Sequence, residues 1–137
     1  MKKIKFLTAG ESHGELLLGI LEGIPSNLEI SQQYIFTQLK RRQLGFGRGK
    51  RMQIEDDKPK IYSGIRQGKT LGSPIGIVIN NKDWKNWKDK MSIDNNGAKI
   101  KKVQIPRPGH ADLAGIMKYD FDDIRNVIER SSARETT

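Results

Sequence analysis

The chain opens on an alternation. Across Lys3 to Leu7, Ile4 and Phe6 are set against Lys3 and Lys5, which predicts a strand. The loop TAGESHG follows, held by two glycines. Leu16 to Ile24 is an apolar run closed by Gly23 and Pro25, and periodicity alone leaves strand and helix both open there. Ser31 is a predicted N-cap, and after it Ile35, Phe36 and Leu39 form a stripe at helical spacing. Lys40, Arg41 and Arg42 fall in that helix's last turn, where cations suit the dipole. The glycines of GFGRGK predict a stop near Gly45. KIYSGIRQGK and SPIGIVIN read as two strands joined by a turn around Gly68 to Gly72. Residues 82–103 are polar and Lys-rich. They predict an exposed insertion, with Trp84 and Trp87 on a short amphipathic helix docked on the body. IPRPGHAD is a rigid Pro/Gly loop. From Asp122 a last helix is predicted, with Ile124, Val127, Ile128 and Ser131 on one face and Phe121 stapling the start. Arg130 and Arg134, four apart, share another face.

Composition narrows this picture. The 137 residues suffice for one domain with a modest core. Apolar residues make up 35% and charged residues 30%, which is lean, so some apolar surface is expected to meet a partner or more chain. The sequence stops at SSARETT, inside or just after the last predicted helix, which predicts the N-terminal portion of something larger. Without cysteine, a disulfide framework or thiolate metal site is excluded, in keeping with a cytoplasmic location. The apolar run of MKKIKFL ends at Leu7 and no stretch of about 18 apolar residues follows, which argues against secretion and membrane spanning. The net charge of +9 is uneven: residues 31–54 hold Lys40, Arg41, Arg42, Arg48, Lys50 and Arg51 and no acid. Such a patch expects an anion, whether a phosphorylated metabolite, a cofactor phosphate or nucleic acid.

Three segments could carry chemistry. His13 and His110 sit on glycine-containing loops with small flanking residues, and each has acids two positions away: Glu11 and Glu15, or Asp112. A nearby carboxylate can fix an imidazole's tautomer, so an acid–base role and a plain surface role both stand at this point. A metal site would need a third ligand that the sequence does not point to. In RRQLGFGRGKR, residues 41–51, glycines let the backbone approach a ligand and arginines offer forked donors. The same tract also reads as a solvated or RGG-like loop. Against RNA, it is short and has only Phe46 for stacking. It lacks the phosphate-loop pattern of nucleotide hydrolases. ERSSARET, residues 129–136, places two serines beside two arginines, as either an anion site or a solvated helix face.

Taken together, GESHG, RRQ-x-GFGRG-x-RM, PRPGHADL and ERSSARET resemble, in order, the sequence blocks of the chorismate synthase family, over residues 3–137. Lys40 stands where the family often has arginine, and residues 82–103 are idiosyncratic. The resemblance implies an α+β fold, a β-α-β sandwich with helices between two antiparallel sheets, incomplete in this chain. It implies a single domain of which residues 1–137 are the N-terminal portion. The implied activity is that of a carbon–oxygen lyase acting on phosphates, in the shikimate pathway of aromatic amino-acid biosynthesis. It eliminates phosphate from 5-enolpyruvylshikimate 3-phosphate to give chorismate, with reduced FMN as cofactor.

By the same resemblance, His13 matches the residue proposed to protonate the leaving phosphate and His110 the one proposed to protonate and hold the flavin. Ser12, Arg42, Arg48, Arg51, Arg107, Ser132 and Arg134 match substrate contacts. Arg42 and Arg48 also match NADPH positions of members that reduce their own flavin. Arg130, Ser131 and Ser132 match an FMN segment. Family members are longer and form homotetramers, so residues 1–137 alone are expected to be inactive without a complementing segment. The rival expectation is a truncated, non-catalytic relative that binds phosphorylated anions or RNA.

Overall fold

A computed structural model describes residues 3–43 and 57–133. Its centre is a four-stranded antiparallel sheet in the order β1-β2-β6-β3, made of β1 (Lys5–Ala9), β2 (Leu16–Glu22), β6 (Ile75–Asn80) and β3 (Pro59–Ile61). A ribbon of β4 (Ile65–Arg66) and β5 (Lys69–Thr70) stands beside it. The helices are α1 (Gln32–Gln43), α2 (Trp84–Trp87), α3 (Asp112–Tyr119) and α4 (Arg125–Ser131). The α+β class and the purely antiparallel pairing are as expected from the sequence.

The register explains why β2 is apolar throughout. Leu17 pairs with Ile79, and Ile79 with Pro59, so one row crosses the sheet. All three are buried, Leu17 at 5% exposure and Ile79 at 1%. Alternation sends Leu16, Leu18 and Ile20 to the other face, beside Leu7 and Val78. That face is apolar but open, with Leu7 68% exposed. A strand apolar on both faces has no period of two, which is why its class was ambiguous in sequence.

Ser31 caps α1 as predicted, its Oγ accepting the Tyr34 amide at 3.0 Å. Lys40, Arg41 and Arg42 do occupy the last turn. The stretch from Lys60 divides more finely than expected. β3 ends at Ile61, and a two-residue turn with positive φ at Gln67 (49°) and Gly68 (74°) folds β4 onto β5. Thr70, buried in that ribbon, ties it to the 25–28 segment: its Oγ1 donates to Pro25 O at 2.6 Å and accepts the Leu28 amide at 2.9 Å.

The last third departs most from expectation. Helix α3 was not predicted. It ends at Asp120, which adopts a left-handed conformation (φ 54°) and donates its amide to Ile116 O. Helix α4 starts at Arg125 rather than Asp122, because the Asp123 carboxylate accepts the amides of Arg125 and Val103, each at 3.0 Å. Phe121 is 40% exposed and lies near Tyr119, so it does not staple the helix. What seats α4 is the burial of Ile124 and Val127 and a close approach by α3 at Gly115. A methyl group at Gly115 would lie 2.4 Å from Val127 Cγ1. Between these parts, α2 carries Trp87 back to the body, while residues 92–102 are exposed. Among the described residues, no helix is long and apolar enough to cross a membrane.

Candidate functional site

Helix α4 is where the candidate segments meet. Its Glu129, only 2% exposed, clamps the GESHG loop from 116 residues away. The Glu129 backbone oxygen accepts the Ser12 amide at 2.8 Å. Its carboxylate accepts the His13 amide at 2.9 Å and lies 2.9 and 3.0 Å from His13 Nδ1. A carboxylate can only accept, so Nδ1 carries the hydrogen. The other face of the loop is held by Asn81, at the end of β6. Its amide group donates to Ser12 O at 3.1 Å and Gly14 O at 3.0 Å. Gly10 makes the entry possible: with φ of 124°, a β-carbon there would sit 2.7 Å from Leu16 O.

The imidazole is enclosed on a further side. Trp87 stacks on His13 with ring centroids 3.7 Å apart and planes inclined by 23°. The indole N–H is fixed by the Asp83 carboxylate at 3.0 Å. Arg125, one turn before Glu129, places its guanidinium 5.5 Å from the Trp87 ring and 3.9 Å from Glu129 Oε1. The expected docking of the short Trp helix therefore occurs, and its target is His13.

The acids expected to serve the two histidines do not. Glu11 and Glu15 are exposed, because the turn closed by the Gly14 amide on Glu11 O leaves their side chains outside. Their place is taken by Glu129. His110 is exposed, with Nδ1 3.0 Å from Pro108 O. Asp112 instead engages Arg107, accepting from Nε, Nη2 and the backbone amide, each at 2.9 Å. The Arg107 side chain and amide hold the Asp112 carboxyl down at about 2, and the same contact raises Arg107. The pairing consumes one edge of a guanidinium expected to hold substrate and fixes its orientation.

The remaining expected residues fall as follows. Arg130 reaches Gly10 O at 3.5 Å, which ties the ERSSARET segment to the GESHG loop. Ser131 donates to Ile128 O at 3.3 Å, and Ser132 is the C-cap of α4. Ser12 is buried. Arg42 stands exposed near the end of α1, whose main packing is against β3. Arg48, Arg51 and Arg134 lie outside the described residues. A cleft of about 480 Å³ opens between α3 and α4, lined by Ala111, Gly115, Tyr119, Phe121 and Val127 with Arg130 and Ser131. Its apolar wall and two cations, Arg130 and Lys118, fit a flat ring system carrying an anionic group.

Sequence reasoning missed Glu129, Asn81 and Arg125, and favoured packing over a binding role for Trp87. The Arg125/Glu129 spacing of four was a visible signal for a helix pair. Nothing in the sequence reveals that Glu129 turns toward His13.

Comparison with known proteins follows from this geometry. The family profile described as chorismate synthase matches residues 4–137. A chorismate synthase of Enterococcus faecalis is 58% identical over 137 residues, covering 98% of this chain and 35% of that protein. One from Aquifex aeolicus is 56% identical, covering 99% of this chain and 34% of its own. A crystal structure of chorismate synthase superposes with a TM-score of 0.65 at 40% identity, over 94% of this chain and 28% of that one. The chain thus spans about a third of the length of the curated relatives it matches.

Proposed function

Because the chain belongs to the chorismate synthase family, we propose that it contributes the proton-donating part of that enzyme's site. The reaction is loss of phosphate and a proton from 5-enolpyruvylshikimate 3-phosphate, giving chorismate. The observation that carries this reading is His13, fixed through Nδ1 by a buried carboxylate and stacked on an indole. Among the described residues, Nε2 has no hydrogen-bond partner, so a proton there is free to pass to a ligand. As the C–O bond breaks, negative charge grows on the departing phosphate. An imidazolium Nε2–H neutralises it by transfer, which leaves the Nδ1–H form already held by Glu129.

Guanidiniums supply the fixed charge. Arg107, pre-oriented by Asp112, offers its remaining N–H groups to a phosphate or carboxylate. Arg42, Arg48, Arg51 and Arg134, with Ser12 and Ser132, are proposed substrate contacts on the strength of the matching motifs. Reduced FMN, when bound, would supply electron density for the elimination, and Arg130, Ser131 and Ser132 would hold it. The α3–α4 cleft with Arg130, Ser131 and Ser132 is the proposed place for it, and His110 adjoins Ala111 on that cleft's wall. NADPH at Arg42 and Arg48, assembly as a homotetramer and a cytoplasmic location complete the proposal. Residues 1–137 are read as the N-terminal part of one domain, with 82–103 as an insertion into it.

The test uses residues 1–137 together with a polypeptide supplying the family's remaining segment. With reduced FMN and substrate, chorismate and phosphate should appear in equal amounts. Binding of substrate without release of either product would contradict the proposal.

A further inference from the structure

The proton-transfer reading requires that one imidazole nitrogen, and not the other, exchange its proton. We propose that Glu129 is the positioning residue that enforces this, holding Nδ1 permanently protonated so that Nε2 alone exchanges. The inference rests on the proposed role of His13, but its test does not depend on turnover.

Three observations converge. Both carboxylate oxygens lie within 3.0 Å of Nδ1, so rotation of the carboxyl group does not release the ring. The same carboxylate holds the His13 amide, and the Glu129 backbone holds the Ser12 amide, so ring and backbone are fixed to one residue. Trp87 covers one ring face and blocks the flip that would exchange the two nitrogens. The groups facing the imidazole are Glu129 and Arg125 from α4 and Trp87 from α2, with Lys90 lying 5.0 Å from the indole ring. Arg125 lies 3.9 Å from Glu129 Oε1, so the carboxylate stands between a guanidinium and the imidazole.

A merely structural anchor makes a different prediction. Glu129→Gln keeps the volume and still offers an oxygen to the His13 amide. With that oxygen held by the amide, its NH2 group would take the other position 3.0 Å from Nδ1, where a donor opposes Nδ1–H and shifts the neutral ring toward the Nε2–H tautomer. The experiment is nitrogen NMR of ring-labelled histidine above the His13 titration, with His110→Gln used to assign the signals. Wild-type protein should show a protonated Nδ1 and a bare Nε2. Glu129→Gln should invert the two, and Glu129→Asp should restore the wild-type pattern at least in part. A wild-type ring in the Nε2–H form, or in rapid exchange between forms, overturns the proposal without any variant needing to fold. An unchanged tautomer in folded Glu129→Gln also overturns it. Inversion of the tautomer together with phosphate release unaffected by His13→Ala would uphold the positioning role and refute the proton-transfer role.

Discussion

Gly115→Ala isolates the contact that seats α4, the helix carrying Glu129. The new β-carbon would lie 2.4 Å from Val127 Cγ1 and 2.8 Å from Cγ2. Val127 is buried and β-branched, so its methyls cannot swing aside without leaving their preferred rotamer. Overpacking of this kind costs ~1–3 kcal/mol, and two carbons inside contact distance place it near ~3 kcal/mol. Replacing glycine by alanine inside a helix returns ~1 kcal/mol. The net expectation is a loss of ~2 kcal/mol. In urea denaturation followed by circular dichroism, with a slope of ~1–3 kcal/mol per molar, the midpoint should fall by about 1 M. Val127→Ala alone should also destabilise, by about 2 kcal/mol from lost burial and cavity. The double variant should then lose less than the sum of the two, because the clash has gone. A neutral or stabilising Gly115→Ala, or strict additivity in the double variant, would refute the close approach of α3 and α4.

Other substitutions probe separate links. Ile79→Ala, at the centre of the sheet row, should cost ~2–5 kcal/mol in the same denaturation assay. Ser31→Ala removes the α1 cap and should cost ~1 kcal/mol. The Asp112 carboxyl is depressed from the ordinary 3.8 to about 2, so its stabilising contribution is complete above 3.8 and disappears as pH falls through about 2. Asp112→Asn should flatten stability between those pH values relative to wild type, read from denaturation midpoints. Asn81→Ala should speed amide exchange at Gly14, whose turn loses its external support, while leaving the sheet amides protected.

What the sequence made legible was local. The Ser31 cap and the basic last turn of α1 are each set by residues within one turn, and each formed as read; the strand expected at Lys3–Leu7 formed two residues later, at Lys5–Ala9, with Ile4 and Phe6 exposed. The α3 helix was hidden because PRPGHAD carries strong loop signals immediately before it. The stripe of Ile124, Val127 and Ile128 located α4, but its start depended on Asp123 reaching Val103, a tertiary contact. The site followed the same division. Motifs picked out His13, His110 and the arginines. The partner of His13 was assigned to sequence neighbours, whereas the fold supplies a carboxylate 116 positions away. Local proximity favoured Glu11 and Glu15, and burial decided for Glu129. Arg107 shows the converse, since its partner Asp112 is near in sequence but had been assigned to His110.

The central claim is that His13 gives a proton to the departing phosphate. The direct measurement is phosphate release by the complemented protein with saturating substrate and reduced FMN, wild type against His13→Ala. Loss of a general acid predicts a rate lowered by ~10²–10⁴-fold with substrate still bound. A His13→Ala protein that binds substrate and releases phosphate at the wild-type rate would contradict the account.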